Sequence, residues 1–432
     1  MGLINYNSTT GLDFNRYINN VNFFLNKDYF IFDSQGTVYF FLIAKYYQSL
    51  ENVVLNDYRH LNNVIQFINF IFYGIGLLGL YLKLRVEKID SYKILISFIF
   101  LNFLPTAYYF RLTMKPEIVA FAIFPWLFLF TDRYFKNRKN LDVFILTILF
   151  SILFTLKASI SGMVIFSILL LYYQEIKKVL KHFKLLMSTF FLSLILTFLN
   201  FKLMGRSIFS KPFNIPELSE KWNNTANFSF FYKLDLYNLI ANPYKHLHAE
   251  SFLAITLLDT TSDYFTFFWN HNESGNFFQL DRIQLTNNFL VQNFLPQYAS
   301  IAFTIFFYLT SLKLIKSQFL NYKVLILPII GILVLIINSL GIPSKNFDPS
   351  TGDLFKVHYY SFLFAYAFVY LIVYLIEKLK FKSIFLIVLI PVFLVTLGFP
   401  KTSNYDKSLE SAKRLNISEF CLLTNPFYNL DC

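Results

Sequence analysis

Long apolar runs separated by short polar stretches dominate this sequence. An apolar run of about 17 to 25 residues is long enough to cross a bilayer as an α-helix. Runs of this kind recur along most of the chain, so the pattern predicts an all-α polytopic membrane protein with about ten transmembrane helices. The predicted spans are 62–82, 93–110, 114–131, 141–157, 160–175, 183–204, 299–317, 323–342, 358–377 and 382–399.

The short loops after the first, third, fifth, seventh and ninth spans carry clusters of Lys and Arg. Cytoplasmic loops of membrane proteins are enriched in these residues. We therefore expect these five loops in the cytoplasm and the other loops, with both termini, on the opposite face. The clusters are Lys83, Arg85, Lys88 and Lys93; Arg133, Lys136, Arg138 and Lys139; Lys177, Lys178, Lys181 and Lys184; Lys313, Lys316 and Lys323; and Lys378, Lys380 and Lys382.

This arrangement divides the chain into five regions. Because a polar segment starts the chain on the external face, we expect a further helix to precede it in the complete protein. The regions are an external segment at 1–60, a first membrane bundle of six spans at 61–204, a long external loop at 205–298, a second membrane bundle of four spans at 299–399 and an external C-terminal tail at 400–432.

The external segment before the first span is not a plain linker. In residues 12–25, Tyr17 and Val21 belong to one apolar stripe, which is typical of an amphipathic helix lying on a membrane. Residues 29–47 are apolar but interrupted by polar positions and a glycine. This second stretch predicts a re-entrant or membrane-hugging segment.

Composition narrows the classes of function. Hydrophobic residues make up 56% of the chain and charged residues only 15%, which is typical of an integral membrane protein. The formal net charge of +12 suggests a nucleic-acid partner, but the cations belong to the short loops, so no nucleic-acid partner is expected. The sequence contains neither a GxxxxGK[ST] loop nor a GxGxxG motif after a strand, so no nucleotide cofactor is expected.

The stretch FRLTMKPEIVAFAIFPW, residues 110–126, places Arg111, Lys115 and Glu117 at the start of an apolar helix. One interpretation is interfacial anchoring, in which the cations extend to water from the membrane surface. The other is an anion site for a lipid-linked phosphate or diphosphate, because positive charge is otherwise sparse on this face. The external cations assigned to lipid-phosphate binding are Arg111, Lys115, Lys157, Lys356 and His358.

The long loop contains a polar and aromatic stretch at 246–271. His246 and His248 share a face only on a strand, and their spacing matches no strong metal motif. We therefore favour a substrate-facing patch over a metal site. The residues assigned to substrate binding are Arg16, Glu117, His246, His248, Asp259, Asp263, Tyr264 and Trp269.

Two acids of the external segment are candidate catalytic bases. Asp13 lies in GLDFNRY and Asp33 in DSQG, and both are flanked by apolar sequence. A single Asp in a loop is more often a turn former than a base. Burial near a bilayer surface raises the pKa of a carboxyl, however, and prepares it for proton transfer.

Many spans, an acid in the first external segment, cations at outer helix ends and one long external loop resemble the GT-C superfamily of polyprenyl-phosphate-sugar-dependent glycosyltransferases. The resemblance is carried by GLDFNRY at 11–17, RLTMKPE at 111–117 and DTTSDYF at 259–265. It implies that Asp13, or as second choice Asp33, deprotonates an acceptor hydroxyl in an inverting transfer. The sequence departs from the family in that no helix precedes the acid and the acid is not part of a DE, DD or DxD pair.

The expected function is therefore transfer of a sugar from a polyprenyl-phosphate donor to a glycan or lipid acceptor, without a metal cofactor. We expect the external face to be the periplasmic side of a bacterial inner membrane. An O-antigen type polymerase or ligase is the first alternative. A transporter is the second alternative and ranks third overall. A transporter would have charges at the centres of spans and Gly or Pro breaks in paired positions.

Overall fold

The three-dimensional structure is a computed structural model that describes part of the chain. All statements below concern these residues. They are 14–25, 36–50, 58–104, 107, 111, 114–156, 158–179, 191–192, 194–195, 229–241, 251–260, 295–316, 320–340 and 360–378.

Helices account for nearly all of the described secondary structure, and the described residues include no strand. A 3₁₀ helix spans Leu320–Ile326. The α-helices are α1 (Phe14–Phe24), α2 (Thr37–Leu50), α3 (Tyr58–Val86), α4 (Ser91–Phe103), α5 (Glu117–Asn137), α6 (Asn140–Phe154), α7 (Ala158–Leu171), α8 (Tyr173–Val179), α9 (Ser229–Tyr232), α10 (Leu236–Ala241), α11 (Phe252–Asp259), α12 (Leu295–Lys316), α13 (Leu327–Leu340) and α14 (Ser361–Lys378).

Four of the described helices are long and apolar enough to cross a membrane, which supports the prediction of a helical membrane protein. They are Asn63–Val86, Glu117–Asn137, Tyr298–Ile315 and Ser361–Lys378. Shorter apolar helices occupy four further predicted spans. The remaining two, 183–204 and 382–399, lie almost wholly outside the described residues, so the count of ten stays a prediction. The five regions of the chain likewise stay a prediction.

The packing of α3 against α5 is the most extensive contact between two described helices. It is close because α3 has glycine where α5 presents bulky rings. A Cβ atom at Gly76 would lie 2.5 Å from the Phe121 ring, and one at Gly79 would lie 2.6 Å from the Trp126 indole. The Trp126 indole N–H also donates a hydrogen bond of 3.0 Å to the backbone oxygen of Ile75.

Helix α14 lies at the centre of the bundle. Its residues from 361 to 373 are all buried, and most of them are apolar or aromatic. A helix that is apolar on every side lies in a protein core or in lipid. Helix α14 is surrounded by protein, because it packs against α4, α5 and α13. Phe124 of α5 makes edge-to-face contacts with Phe362 and Tyr366 of α14.

Ring contacts show the relative directions of the helices. Helix α5 runs parallel to α14, because Phe124 contacts Phe362 while Phe128 contacts Tyr366. Helix α3 runs parallel to α5, because Tyr73 contacts Phe121 at one end while Lys83 contacts Asp132 at the other. These directions agree with the alternation predicted from the loop charges.

Helix α12 does not follow this alternation. Phe303 contacts Phe368, and Phe307 contacts Phe364, so α12 and α14 are antiparallel. The loop charges had predicted that these two spans run in the same direction, and for α12 that prediction is wrong. Loop charge predicts helix directions only if each span between the loops crosses the membrane. The one predicted span between α12 and α14 contains a 3₁₀ helix and the 14-residue α13, which is shorter than the roughly 20 residues of a crossing helix.

The two helices before α3 pack on each other and on the start of α5. The predicted helix is present, and Tyr17 and Val21 of its apolar stripe are buried, but Asn20 and Asn22 are buried as well. The stretch predicted to be re-entrant contains α2, which follows Gly36. Gly36 has a φ of 74°, its N–H bonds to the oxygen of Thr155 at 2.7 Å, and a Cβ there would lie 2.7 Å from Pro116.

Candidate functional site

A group of charged and polar side chains is buried at the end of the bundle where α5 begins. We call it the Lys115 cluster, and we call this end of the bundle the Lys115 end. Helices α1, α2 and α3 and the chain just before α5 contribute to it. Its members are Tyr17, Tyr39, Asn69, Tyr73, Arg111, Lys115 and Glu117.

Lys115 is enclosed by protein. Only 1% of its surface is exposed, and its ammonium lies 5.2 Å from the centre of the Tyr17 ring. A cation over an aromatic face is attracted by the negative charge density of the ring. An anchoring lysine would extend to water, so interfacial anchoring does not describe Lys115. Its side chain belongs to the interior of the bundle.

Glu117 is the first residue of α5 and is fully buried. A carboxylate in the first turn of a helix is stabilised by the backbone N–H groups and the positive end of the helix dipole. Pro116 precedes it and packs against Gly36. The sequence therefore brings a cation and a carboxylate to the same helix start, and Gly36 allows the chain before α2 to approach them.

Arg111 is partly buried, and its guanidinium contacts a ring and two backbone oxygens. The guanidinium carbon lies 5.3 Å from the centre of the Tyr73 ring. Its Nε donates to the oxygen of Ala107 and its Nη2 to the oxygen of Asn102, both at 3.3 Å. These contacts orient the guanidinium from one side and occupy two of its five N–H donors.

Two buried side chains hold the chain around Arg111 in position. The Tyr39 hydroxyl donates a hydrogen bond of 2.7 Å to Asn69 Oδ1, and Asn69 Nδ2 donates one of 3.3 Å to the backbone oxygen of Arg111. Both side chains are fully buried. Neither residue was among the predicted site residues. An amide inside an apolar span is costly unless it is hydrogen-bonded, so the sequence does contain a signal for Asn69.

The described members of the Lys115 cluster carry two cationic groups and one carboxylate. Charge-assisted hydrogen bonds to Lys and Arg are strong, and they are stronger where water is excluded. An arrangement of this kind can bind an anion such as a phosphate. Among the described residues, no group of three or more His, Cys, Asp or Glu side chains is placed to hold a metal ion.

The side chains of the other predicted site residues lie outside the described part of the structure. Arg16 lies in α1 and Asp259 is the last residue of α11, but only their backbones are described. Helix α11 packs on α9 and α12. The predicted site residues outside the described part of the chain are Asp13, Asp33, Lys157, His246, His248, Asp263, Tyr264, Trp269, Lys356 and His358.

A second buried polar group lies where α3, α5 and α14 end, and the sequence analysis did not anticipate it. We call it the Lys83 network and this end of the bundle the Lys83 end. Lys83 Nζ lies 2.5 Å from both Glu87 Oε1 and Asp132 Oδ2. The Tyr172 hydroxyl donates to Asp132, and the Tyr370 hydroxyl donates to both oxygens of Glu87 at 2.9 Å.

The charges of the Lys83 network neutralise one another to a large extent. Burial raises the pKa of the Glu87 carboxyl, while the Lys83 ammonium and the Tyr370 hydroxyl act to lower it. Two further ion pairs lie at this end of the bundle, Arg133 with Asp142 at 3.3 Å and Lys93 with Glu377 at 3.1 Å. The Lys83 end is therefore held together by polar contacts between helices.

No known protein family, no curated protein and no solved structure matches this chain.

Proposed function

We propose that the protein is an integral membrane glycosyltransferase that takes a sugar from a polyprenyl-phosphate donor, with the donor phosphate bound at the Lys115 cluster. One observation carries the proposal: Lys115 is 1% exposed at a helix start where an anchoring lysine would extend to water. Keeping a cation inside a membrane protein is costly, and such residues commonly bind charged groups. A phosphate on a lipid reaches this depth because its polyprenyl chain remains in the bilayer.

The chemistry requires a base and a site for the leaving group. The acceptor oxygen attacks the anomeric carbon of the sugar and gives its proton to a carboxylate, while the bond from that carbon to the phosphate oxygen breaks. The bonding electrons leave with the lipid phosphate. The positive charges of Lys115 and Arg111 stabilise the negative charge on this leaving group.

Two acids are candidates for the base. Asp13 directly precedes α1 in the sequence, and Asp33 stands three residues before Gly36. Tyr17 of α1 contacts Lys115, and Gly36 packs against Pro116. Asp13 is therefore close in sequence to Tyr17, which contacts Lys115. Asp33 is close in sequence to Gly36, which packs against Pro116.

The long loop has no role in the proposal. The loop was expected on the same face as the external cations, but the antiparallel packing of α12 and α14 does not support that expectation. The residues proposed to act in the transfer are Lys115, Arg111 and the two candidate acids.

Binding of undecaprenyl phosphate to the purified protein in lipid nanodiscs tests the phosphate site. Replacing Lys115 with Gln removes one charge-assisted contact of about 1.5 to 3 kcal/mol, so the affinity is expected to fall by about ten- to a hundredfold. Lys45→Gln is the matched control, because Lys45 is exposed on α2. Equal affinity of the Lys115→Gln variant and the wild type would refute the phosphate site.

The base is tested by sugar transfer from polyprenyl-phosphate sugars to membrane acceptors. Asp13→Asn or Asp33→Asn is expected to abolish transfer while undecaprenyl phosphate still binds, because the amide cannot accept the proton. Full transfer by both variants would exclude these acids and, with them, the proposed mechanism.

A further inference from the structure

The described part of the long loop carries an exposed apolar surface on α9 and α10. It is formed by four side chains that are mostly exposed, and we call it the Tyr237 surface. Its members are Tyr232, 66% exposed; Leu236, 58%; Tyr237, 80%; and Ile240, 66%. Leu239 of the same short helix is buried, so α10 has one side against the protein and the apolar side exposed.

A hydrogen bond connects this surface to a membrane span. The Tyr298 hydroxyl donates to the backbone oxygen of Ile240. Tyr298 is the first residue of the candidate span Tyr298–Ile315. Helix α11, which follows α10 in the chain, packs along α12. Helix α10 therefore lies beside the first turn of a helix that crosses the bilayer.

The depth of this contact follows from the antiparallel packing of α12 and α14. Phe303 and Phe368 are in contact and lie at one level. At about 1.5 Å per residue, Tyr298 lies about 8 Å from that level and Glu377 about 14 Å from it, in the same direction. Glu377 pairs with Lys93, which also pairs with the exposed Asp90, and such a group of partly exposed charges is typical of the water boundary. The Tyr298 backbone is thus about 6 Å nearer the middle of the membrane than Glu377, and Ile240 lies within hydrogen-bond distance of the Tyr298 hydroxyl.

We propose that the Tyr237 surface is embedded in the interface of the lipid bilayer at the Lys83 end of the bundle. Tyrosine is enriched at membrane interfaces because its ring is apolar and its hydroxyl reaches the headgroups. Tyr298, which bonds to Ile240, lies seven residues before Ile305 and so shares the face of α12 on which Ile305, Leu309 and Leu312 are exposed. A surface continuous with the lipid-facing side of a span is covered by the same lipid.

The polar residues of this segment fit the same arrangement. Lys233 and Asp235 lie in the turn between α9 and α10 and are exposed. Asp235 also accepts a hydrogen bond of 2.9 Å from the backbone N–H of Asn238, so it caps the short helix. The two charges are adjacent to the apolar side chains, as is typical of segments that lie in the interface with their charges among the headgroups.

Electron paramagnetic resonance with a nitroxide label tests the proposal in lipid nanodiscs. The label is attached at Leu236→Cys in the full chain, with both natural cysteines, Cys421 and Cys432, replaced by Ser. Oxygen concentrates in the bilayer and a nickel chelate stays in water. We expect the label at 236 to be more accessible to oxygen than to the chelate. The control is Lys136→Cys, an exposed residue near the end of α5, where the chelate is expected to be the more accessible of the two.

Two outcomes would overturn the proposal. A label at 236 that behaves like the label at 136 shows that the surface faces water. Low accessibility to both reagents shows that another protein or a second copy of this chain covers it. If Leu236→Cys does not fold, Tyr237→Cys provides the same measurement at the most exposed position of the surface.

Discussion

The two ends of the helix bundle differ in the groups that surround their buried charges. At the Lys83 end, one lysine contacts two carboxylates on different helices, and tyrosine hydroxyls donate to both carboxylates. At the Lys115 end, two cations lie over tyrosine rings. One cation faces two carboxylates in the Lys83 network, whereas the Lys115 cluster has two cations and one carboxylate. The Lys83 end is held together by ion pairs, and the proposed anion site lies at the Lys115 end.

Replacement of Lys83 is expected to have the largest effect on stability. Lys83→Met leaves Glu87 and Asp132 buried without their common cation, which costs about 3 to 5 kcal/mol of unfolding free energy. Reversible unfolding in mixed micelles measures the loss. Lys136→Met is the exposed control and should leave the stability unchanged. A loss below about 1 kcal/mol would show that the network does not hold the Lys83 end together.

The partner carboxyl should be less sensitive than the lysine. Burial raises the pKa of Glu87, so its charged form is already disfavoured, and Glu87→Gln replaces it with a neutral group of the same shape. We expect a clearly smaller loss than for Lys83→Met in the same unfolding measurement. An equal or greater loss would mean that the charge of Glu87, and not its shape, is the essential feature.

The contact between α3 and α5 runs from the Lys115 end of the bundle to the Lys83 end. Substitutions at two glycines of α3 test how close this packing is. Gly76→Ala forces the Phe121 ring or backbone to move and is expected to destabilise the protein by about 1 to 3 kcal/mol. Gly74 faces open space, so Gly74→Ala should be neutral or stabilise the protein by up to about 1 kcal/mol. Identical unfolding curves for the two variants would contradict the close packing of α3 on α5.

At the Lys115 end, loss of a single hydrogen bond should have a moderate effect. Tyr39→Phe removes the donor to Asn69 and is expected to cost about 1 kcal/mol of unfolding free energy. Tyr237→Phe is the control, because Tyr237 is 80% exposed. If the two variants lose the same amount, the Tyr39 to Asn69 bond does not support the cluster.

The smallest effect is expected at the outer edge of the Lys83 end. Lys93 pairs with Asp90 and Glu377, whose side chains are partly exposed to solvent. Exposed ion pairs contribute less than about 1 kcal/mol, so Lys93→Ala should change the unfolding free energy only slightly. A loss comparable to that of Lys83→Met would remove the distinction between buried and exposed charge at this end.

Several features of the fold could be predicted from the sequence. The apolar runs located the membrane helices, and loop charge predicted the parallel directions of α3, α5 and α14. The predicted direction of α12 was wrong, because Lys313, Lys316 and Lys323 were taken only as markers of a cytoplasmic loop. The Lys83 network was missed for a related reason: Lys83 was counted as a loop charge, and its acidic partners were not considered.

The candidate site was only partly predictable. Arg111, Lys115 and Glu117 lie within seven consecutive positions, so their proximity was visible in the sequence. Their burial was not, nor were their contacts with Tyr17, Tyr73 and the hydrogen bonds through Asn69. These contacts join residues far apart in the chain, and no local pattern indicates them.

The sequence by itself determined that the protein is built from membrane helices. In lipid every backbone N–H and C=O must be hydrogen-bonded within the protein, and a helix achieves this inside one segment, so an apolar run of about 20 residues favours a helix locally. Only the tertiary structure decided which buried charges neutralise each other and which lie against aromatic rings. That choice depends on which helix faces meet, and the packing of side chains from distant parts of the chain controls it.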